Sequence, residues 1–379
     1  MLSEKTVQNM SDTLTLNVTL TSADYAYIAI VNVTSLLSMM GNLAVIGWYT
    51  MYKDVRTHGR RMIMFLCVAN FVCNFGGILQ VATYFKSVTY LEERGVLCET
   101  ASMFTIYGSV SSFLWVDCVA FYVFMCVTLR LITVVNRLDW LFHVFSWGMP
   151  AIITLCAGAS DVFGYDDDDV RHRRHATPCW ISDRVDNQME WYYVTIEGWA
   201  VLTYVFGGIL YIVITITVQC QKGRVRQRHV DKEYVIEDMA ISTANKQLRF
   251  IPAIFIALRM WGTMHLMVFK YGPMVSSRLA DWLLIVKGFG DNALGIANCV
   301  IFLLATKPLR QRLVKNFRKN ITSCTSWCRR NKPNESWKPS VIFRKIKTRK
   351  HNALDISEIS LDFPDQDEML EDEIVFERD

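Results

Sequence analysis

The chain has 379 residues, 52% of them hydrophobic, and its 40 Lys and Arg against 36 Asp and Glu leave a formal charge of only +4. Length alone would allow two or three soluble domains, but the excess apolar residues lie in long runs. The polar remainder falls at the two ends and in one internal loop, which excludes a string of soluble domains and implies one membrane domain with a tail.

A hydrocarbon core of ~30 Å takes about 20 apolar residues to cross as a helix. Runs over 26–51, 62–85, 99–127, 140–163, 191–219, 248–271 and 280–305 meet that length. Most lack the polar face of a soluble helix. The expected fold is an all-α membrane protein, a seven-transmembrane helix bundle over residues 26–305.

Residues 1–25 precede the first span, and no charged stretch with a short apolar run stands before it, so that span is expected to act as its own signal anchor. The sequons at Asn9 and Asn17 are expected glycosylation sites, while that at Asn32 falls inside the span. Orientation follows from the positive charges. Lys53, Arg56, Arg60 and Arg61 follow the first span, and Lys222, Arg224, Arg226, Arg228 and Lys232 follow the fifth. The tail is basic from Lys307 to Lys350. These place the N-terminus outside and the tail in the cytoplasm of a multi-pass plasma-membrane protein. The loop from Asp166 to Asp169, followed by Arg171, His172, Arg173, Arg174 and His175, lies on the opposite side and is nearly balanced. Four consecutive acids cannot all face one ion, so no metal is assigned to it.

Six of the eleven cysteines, Cys67, Cys73, Cys118, Cys126, Cys156 and Cys299, lie within spans and act there as small apolar residues. Cys98 and Cys179 are the two on the outer, oxidising side, and a disulfide between them is expected. After the seventh span, Leu309, Leu313 and Phe317 recur every fourth residue among basic ones. This suits an amphipathic helix over 306–319 lying on membrane lipid, with Cys324 and Cys328 as candidate palmitoylation sites. The remaining tail, 320–379, turns from basic to acidic after residue 350 and is expected to be largely disordered. Ser357 and Ser360 are phosphorylation candidates there, with an arrestin-like protein as the partner such marks would recruit.

Ionisable residues inside spans are costly and mark functional sites. Here they are Asp117, Glu197, Arg259, His265, Lys287 and Asp291. Lys287 and Asp291 are four apart, hence on one helix face. Arg259 is expected to pair with Asp291 across the sixth and seventh helices, leaving Lys287 and Glu197 toward an outward cavity. Pro252, Gly262, Gly288, Gly290 and Gly295 can bend those helices or pack them closely.

Several stretches carry a family likeness. They are Phe142 to Pro150, Gly164-Tyr165-Asp166, Cys179-Trp180-Ile181, Ile251 to Trp261, and Gly288 to Phe302 with Ala297-Asn298-Cys299. In order and spacing they resemble the cyclic-AMP-receptor-like family of G-protein-coupled receptors. The resemblance implies a seven-helix receptor that passes an extracellular signal to heterotrimeric G proteins, and it supplies no ligand; movement of helices six and seven, which their glycines and charges allow, is the expected means. Arg130, Arg137, Arg224, Arg226, Arg228, Lys246 and Arg249 would then face the G protein. The rhodopsin-type signatures are absent: Leu129 rather than an acid precedes Arg130, and Asn298 to Phe302 holds neither proline nor tyrosine. A retinal-binding protein or ion pump with Lys287 as Schiff base is the alternative. No nucleotide, metal or catalytic-triad motif occurs, so neither cofactor, enzymatic activity nor nucleic-acid partner is expected.

Overall fold

The computed structural model describes residues 22–89, 95–164, 179–182, 184–227, 248, 250–271, 277–306, 308–316 and 318, and for 83–89, 222–227, 269–271, 277 and 280 the backbone alone. Contacts divide the chain into two units at Lys315. The second unit is described only at residues 316 and 318, and the fold below is that of the first.

Each long apolar run forms a helix, because a backbone surrounded by hydrocarbon satisfies its polar groups within its own segment. The helices are α1 (Ser22–Met51), α2 (His58–Thr89) and α3 (Val96–Phe124). After them come α4 (Asp139–His143 continued by Met149–Ala159), α5 (Gln188–Tyr192 continued by Gly198–Gln227) and α6 (Phe250–Tyr271). The last span, α7, has two segments, Ser277–Asn292 and Leu294–Ala305. Six of these helices are long and apolar enough to cross a membrane, and the two segments of α7 together make a seventh crossing. The expected seven-helix bundle is therefore observed.

α3 is the axis of the bundle. It packs against α2, α4, α5 and α6, and 72% of its apolar stretch is buried against 28% for α5, which faces the surroundings. Trp115, Phe113, Phe255, Phe302, Met62 and Leu66 form the fully buried centre. Close packing rests on small residues, as in membrane helices generally. A Cβ on Gly108 of α3 would stand 2.3 Å from the Cys73 nitrogen of α2.

Widened turns with i→i+5 bonding interrupt three helices: Met125–Leu129 at the end of α3, Val144–Gly148 in α4 and Tyr193–Glu197 in α5. α3 stops at Arg130, which takes φ 57° while the Leu131 amide reaches back to the Met125 carbonyl at 3.0 Å. The Arg130 amide bonds the same carbonyl, so the widened turn closes on a residue in the left-handed region, where a side chain is normally disfavoured.

α7 departs from one continuous span over 280–305. Its segments meet at 46° around Ala293, and the bend falls between the glycines rather than on one. Gly290 and Gly295 serve contact instead: a Cβ on Gly290 would lie 2.1 Å from the Leu258 carbonyl oxygen of α6, and on Gly295 2.6 Å from the Ser38 carbonyl oxygen of α1. Hydroxyls of α1 hold the bend, Ser38 donating to the Asn292 carbonyl and Ser35 to Asn292 Oδ1 at 3.0 Å.

At one end of the bundle a two-residue hairpin pairs β1 (Phe163–Gly164) with β2 (Trp180–Ile181). Cys179 joins Cys98 of α3 in a disulfide with Cα atoms 5.4 Å apart. Ser102 and Gln80 both donate to the Cys179 carbonyl, at 3.1 and 3.2 Å. At the other end Arg61 bridges Asp139 at 2.7 Å, and His58 stacks on Tyr122 with centroids 5.0 Å apart. A further helix, α8, covers 308–316 of the 306–319 expected. Leu309 buries its side chain completely, and Arg312 meets Asp54 at 3.0 Å. Phe317 lies outside the described residues.

Gly108→Val should overpack the α2–α3 contact and cost about 1–3 kcal/mol. Gly47→Val, whose added Cβ would meet only the tip of Met51 at 3.9 Å, should cost far less. Thermal unfolding of the two purified variants in detergent checks this, and equal losses would refute it.

Candidate ligand cavity between the helices

Between the helices, below the hairpin, lies a cavity of about 100 Å³. Every spanning helix but α4 contributes to its wall, and Trp180 of β2 lines it as well. Its polar groups come from residues that a membrane helix would otherwise avoid.

Arg259, at mid-length of α6 and 9% exposed, places Nη1 3.2 Å from Asp291 Oδ1 of α7. Its guanidinium also lies over the Phe113 ring of α3, 4.7 Å from the centroid. A carboxylate opposite and an aromatic face beneath are the surroundings a buried guanidinium needs. Gly262 makes room, since a Cβ there would stand 2.9 Å from Asp291 Oδ1.

Glu197 enters from α5 at the last position of that helix's widened turn, a local form common at functional sites. The next residue is glycine for a steric reason: a Cβ on Gly198 would lie 2.6 Å from the Tyr193 carbonyl oxygen. Thr263 of α6 donates to Glu197 Oε2 at 2.9 Å, and the Tyr204 and Thr263 hydroxyls are 3.1 Å apart. With the Thr263 proton on the carboxylate, Tyr204 is the donor to Thr263. Lys287, one turn along α7 from Asp291, holds its ammonium 5.9 Å from the centroid of the Trp180 ring.

The structure thus brings four of the six candidate charged residues, Glu197, Arg259, Lys287 and Asp291, into one cavity wall. Asp117 and His265 do not line it. Asp117 lies one turn beyond Phe113 on α3, where Thr203 of α5 donates to its Oδ2 at 2.9 Å. Sequence reasoning overlooked Tyr204, Thr263, Phe113 and Trp180. Thr263 was within reach, because it stands four residues after Arg259 on the same face.

Of the residues expected to face a G protein, Arg130 and Arg137 lie at the bundle end opposite the hairpin. Arg224 and Arg226 are described by backbone alone, on α5. Arg228, Lys246 and Arg249 lie outside the described residues, as do Asn9, Asn17, Cys324 and Cys328. Among the described residues no group of three His, Cys, Asp or Glu could hold a metal ion.

A seven-helix membrane bundle, with a hairpin tied by a disulfide over a polar cavity, has the architecture of a transmembrane receptor. The family model described as 7 transmembrane receptor (Secretin family) matches residues 24–281, and the chain belongs to that family. It is 29% identical over 296 residues to mouse G-protein coupled receptor 157, covering 75% of this chain and 84% of that one. It is also 29% identical over 129 residues to Cyclic AMP receptor-like protein A of Dictyostelium discoideum, covering 33% and 32%. In structure it resembles squid rhodopsin, with a TM-score of 0.57 at 12% identity over 85% of this chain and 94% of that one, which speaks to the fold alone. The protein is therefore a multi-pass membrane receptor.

Asp291→Ala should cost about 3–5 kcal/mol, because it strands the Arg259 charge inside the bundle. The double variant Arg259→Ala/Asp291→Ala should cost clearly less than the sum of the single ones. Unfolding of the purified variants measures the coupling, and strictly additive losses would rule the pair out as an interacting unit.

Proposed function

We propose that this receptor carries an extracellular signal across the plasma membrane to heterotrimeric G proteins by movement of α6 and α7. The supporting observation is the Arg259–Asp291 pair: it joins those two helices at the wall of a cavity. A ligand that competes for either partner changes the energy of the α6–α7 contact, and such differential interaction is what moves a two-state element. The bend at Ala293 gives α7 a point about which one segment can turn.

In this reading the hairpin and the N-terminal segment face outward, and the basic end with Arg130 and Arg137 meets the G protein. The amphipathic α8 rests on the inner leaflet, near palmitates on Cys324 and Cys328, and a phosphorylated tail engages an arrestin-like partner. The family supports a receptor role rather than an enzymatic one. The retinal alternative is disfavoured by size. An apolar cavity of 150 Å³ holds about one benzene, and about 100 Å³ beside Lys287 leaves no room for a polyene in this conformation.

Cells expressing the chain with reporters for several Gα families should show G-protein activation, basal or evoked, that changes in Arg259→Ala and Asp291→Ala at matched surface levels. Activity unaltered in both variants would sink the proposed switch. Orientation has its own test: glycosidase treatment should reduce the parent's apparent mass, and Asn9→Gln/Asn17→Gln should remove that reduction. A parent insensitive to the enzyme would argue against an outward N-terminus.

A further inference from the structure

The cavity holds two opposite charges that do not meet. Arg259 and Asp291 satisfy each other at 3.2 Å. Glu197, 6% exposed, accepts a hydrogen bond from Thr263 and has no cation within ion-pair distance among the described residues. Lys287 makes no hydrogen bond or ion pair among the described residues, and its ammonium stands over Trp180. A carboxylate on α5 and an ammonium on α7 thus line one cavity, each without a charged partner among the described residues. Glu197 is buried and Lys287 half-buried; a buried charge is expensive to leave unpaired, and one pair already completed beside them sharpens the contrast.

We infer that this cavity recognises a small zwitterion of the amino-acid class, its ammonium on Glu197 and its carboxylate on Lys287. The inference rests on the receptor reading above and names the ligand chemistry of that site. Two observations narrow the class. At about 100 Å³ the space is smaller than the 150 Å³ that holds benzene, which admits an amino acid with a short side chain or a short ω-amino acid. The Trp180 wall is also fixed, because its strand is held by the Cys98–Cys179 disulfide and by two hydrogen bonds to the Cys179 carbonyl. Selectivity follows from what would be left unpaired. A simple amine leaves Lys287 alone and a simple carboxylate leaves Glu197 alone, and sites built on buried polar partners reject analogues that lack one of them.

The test uses the purified full chain in lipid nanodiscs without any G protein, with thermal shift and calorimetry as readouts. The probes are glycine, L-alanine, L-serine, β-alanine and γ-aminobutyrate, with propionate and propylamine as single-charge controls. At least one amino acid should bind saturably, and the single-charge controls about tenfold to a hundredfold more weakly. Glu197→Gln should lose the preference for the amino acid over propionate, and Lys287→Gln its preference over propylamine, a pattern that a purely structural role would not produce. The selectivity of the parent decides the matter even where a variant does not fold. The inference is overturned if no probe binds, if a single-charge control binds as tightly as the amino acids, or if both folded variants keep the parent's selectivity. Zwitterion binding without G-protein activation would instead leave the ligand class standing and remove the proposed coupling.

Discussion

An arginine in the middle of a membrane helix is tolerated only where its charge is met, and the Arg259–Asp291 pair is the constraint around which this interior is arranged. Meeting it demands that α6 and α7 approach closely. Gly262 clears the space beside the carboxylate, and Gly290 lets α7 come up against the Leu258 carbonyl. Phe113 of α3 supplies the aromatic floor under the guanidinium. The helix-packing glycines and the ion pair are thus one arrangement. A larger residue at Gly262 or Gly290 would separate charges that hydrocarbon gives no means of solvating.

The two ends of the bundle are held by interactions of different strength. At the hairpin end a covalent bond and two hydrogen bonds converge on Cys179. At the other end the ties are ion pairs with substantial exposure, 38% and 22% for Arg61 and Asp139, and 46% and 42% for Arg312 and Asp54. Exposed pairs of this kind contribute about 0–1 kcal/mol each. Among these polar ties, the hairpin end is therefore the more firmly held of the two.

The seven spans were legible because hydropathy over a bilayer-length window has few competing explanations. The Arg259–Asp291 pairing was legible for a related reason, since few residues can compensate an intramembrane charge. Hydroxyls were not. Thr195 and Thr203 lie eight residues apart on α5, yet Thr195 bonds its own helix at the Trp191 carbonyl while Thr203 reaches Asp117 on α3. Either choice satisfies the hydroxyl, so sequence spacing cannot say which is made. The same ambiguity hid the Tyr204–Thr263–Glu197 chain and the bond from Thr203 to Asp117. The widened turns and the bend at Ala293 escaped for another reason. Glycines were read as able to bend the helices or to pack them closely; Gly290 and Gly295 serve packing, and the hydroxyls of α1 support a bend at an alanine.

The end of α3 shows how a missing signature is compensated. No acid precedes Arg130, and the residue itself caps the helix in a left-handed conformation, exposed at the surface. α3 is instead braced one helix away: His58 of α2 stacks on its Tyr122 while the neighbouring Arg61 ties α2 to Asp139 of α4. This bracing links α2, α3 and α4 and leaves out α6. The strongest charged tie that α6 makes among the described residues lies at the cavity, with α7. On the proposed mechanism, control of α6 resides at the cavity level of the bundle, where a bound ligand and the Arg259–Asp291 pair act on the same few atoms.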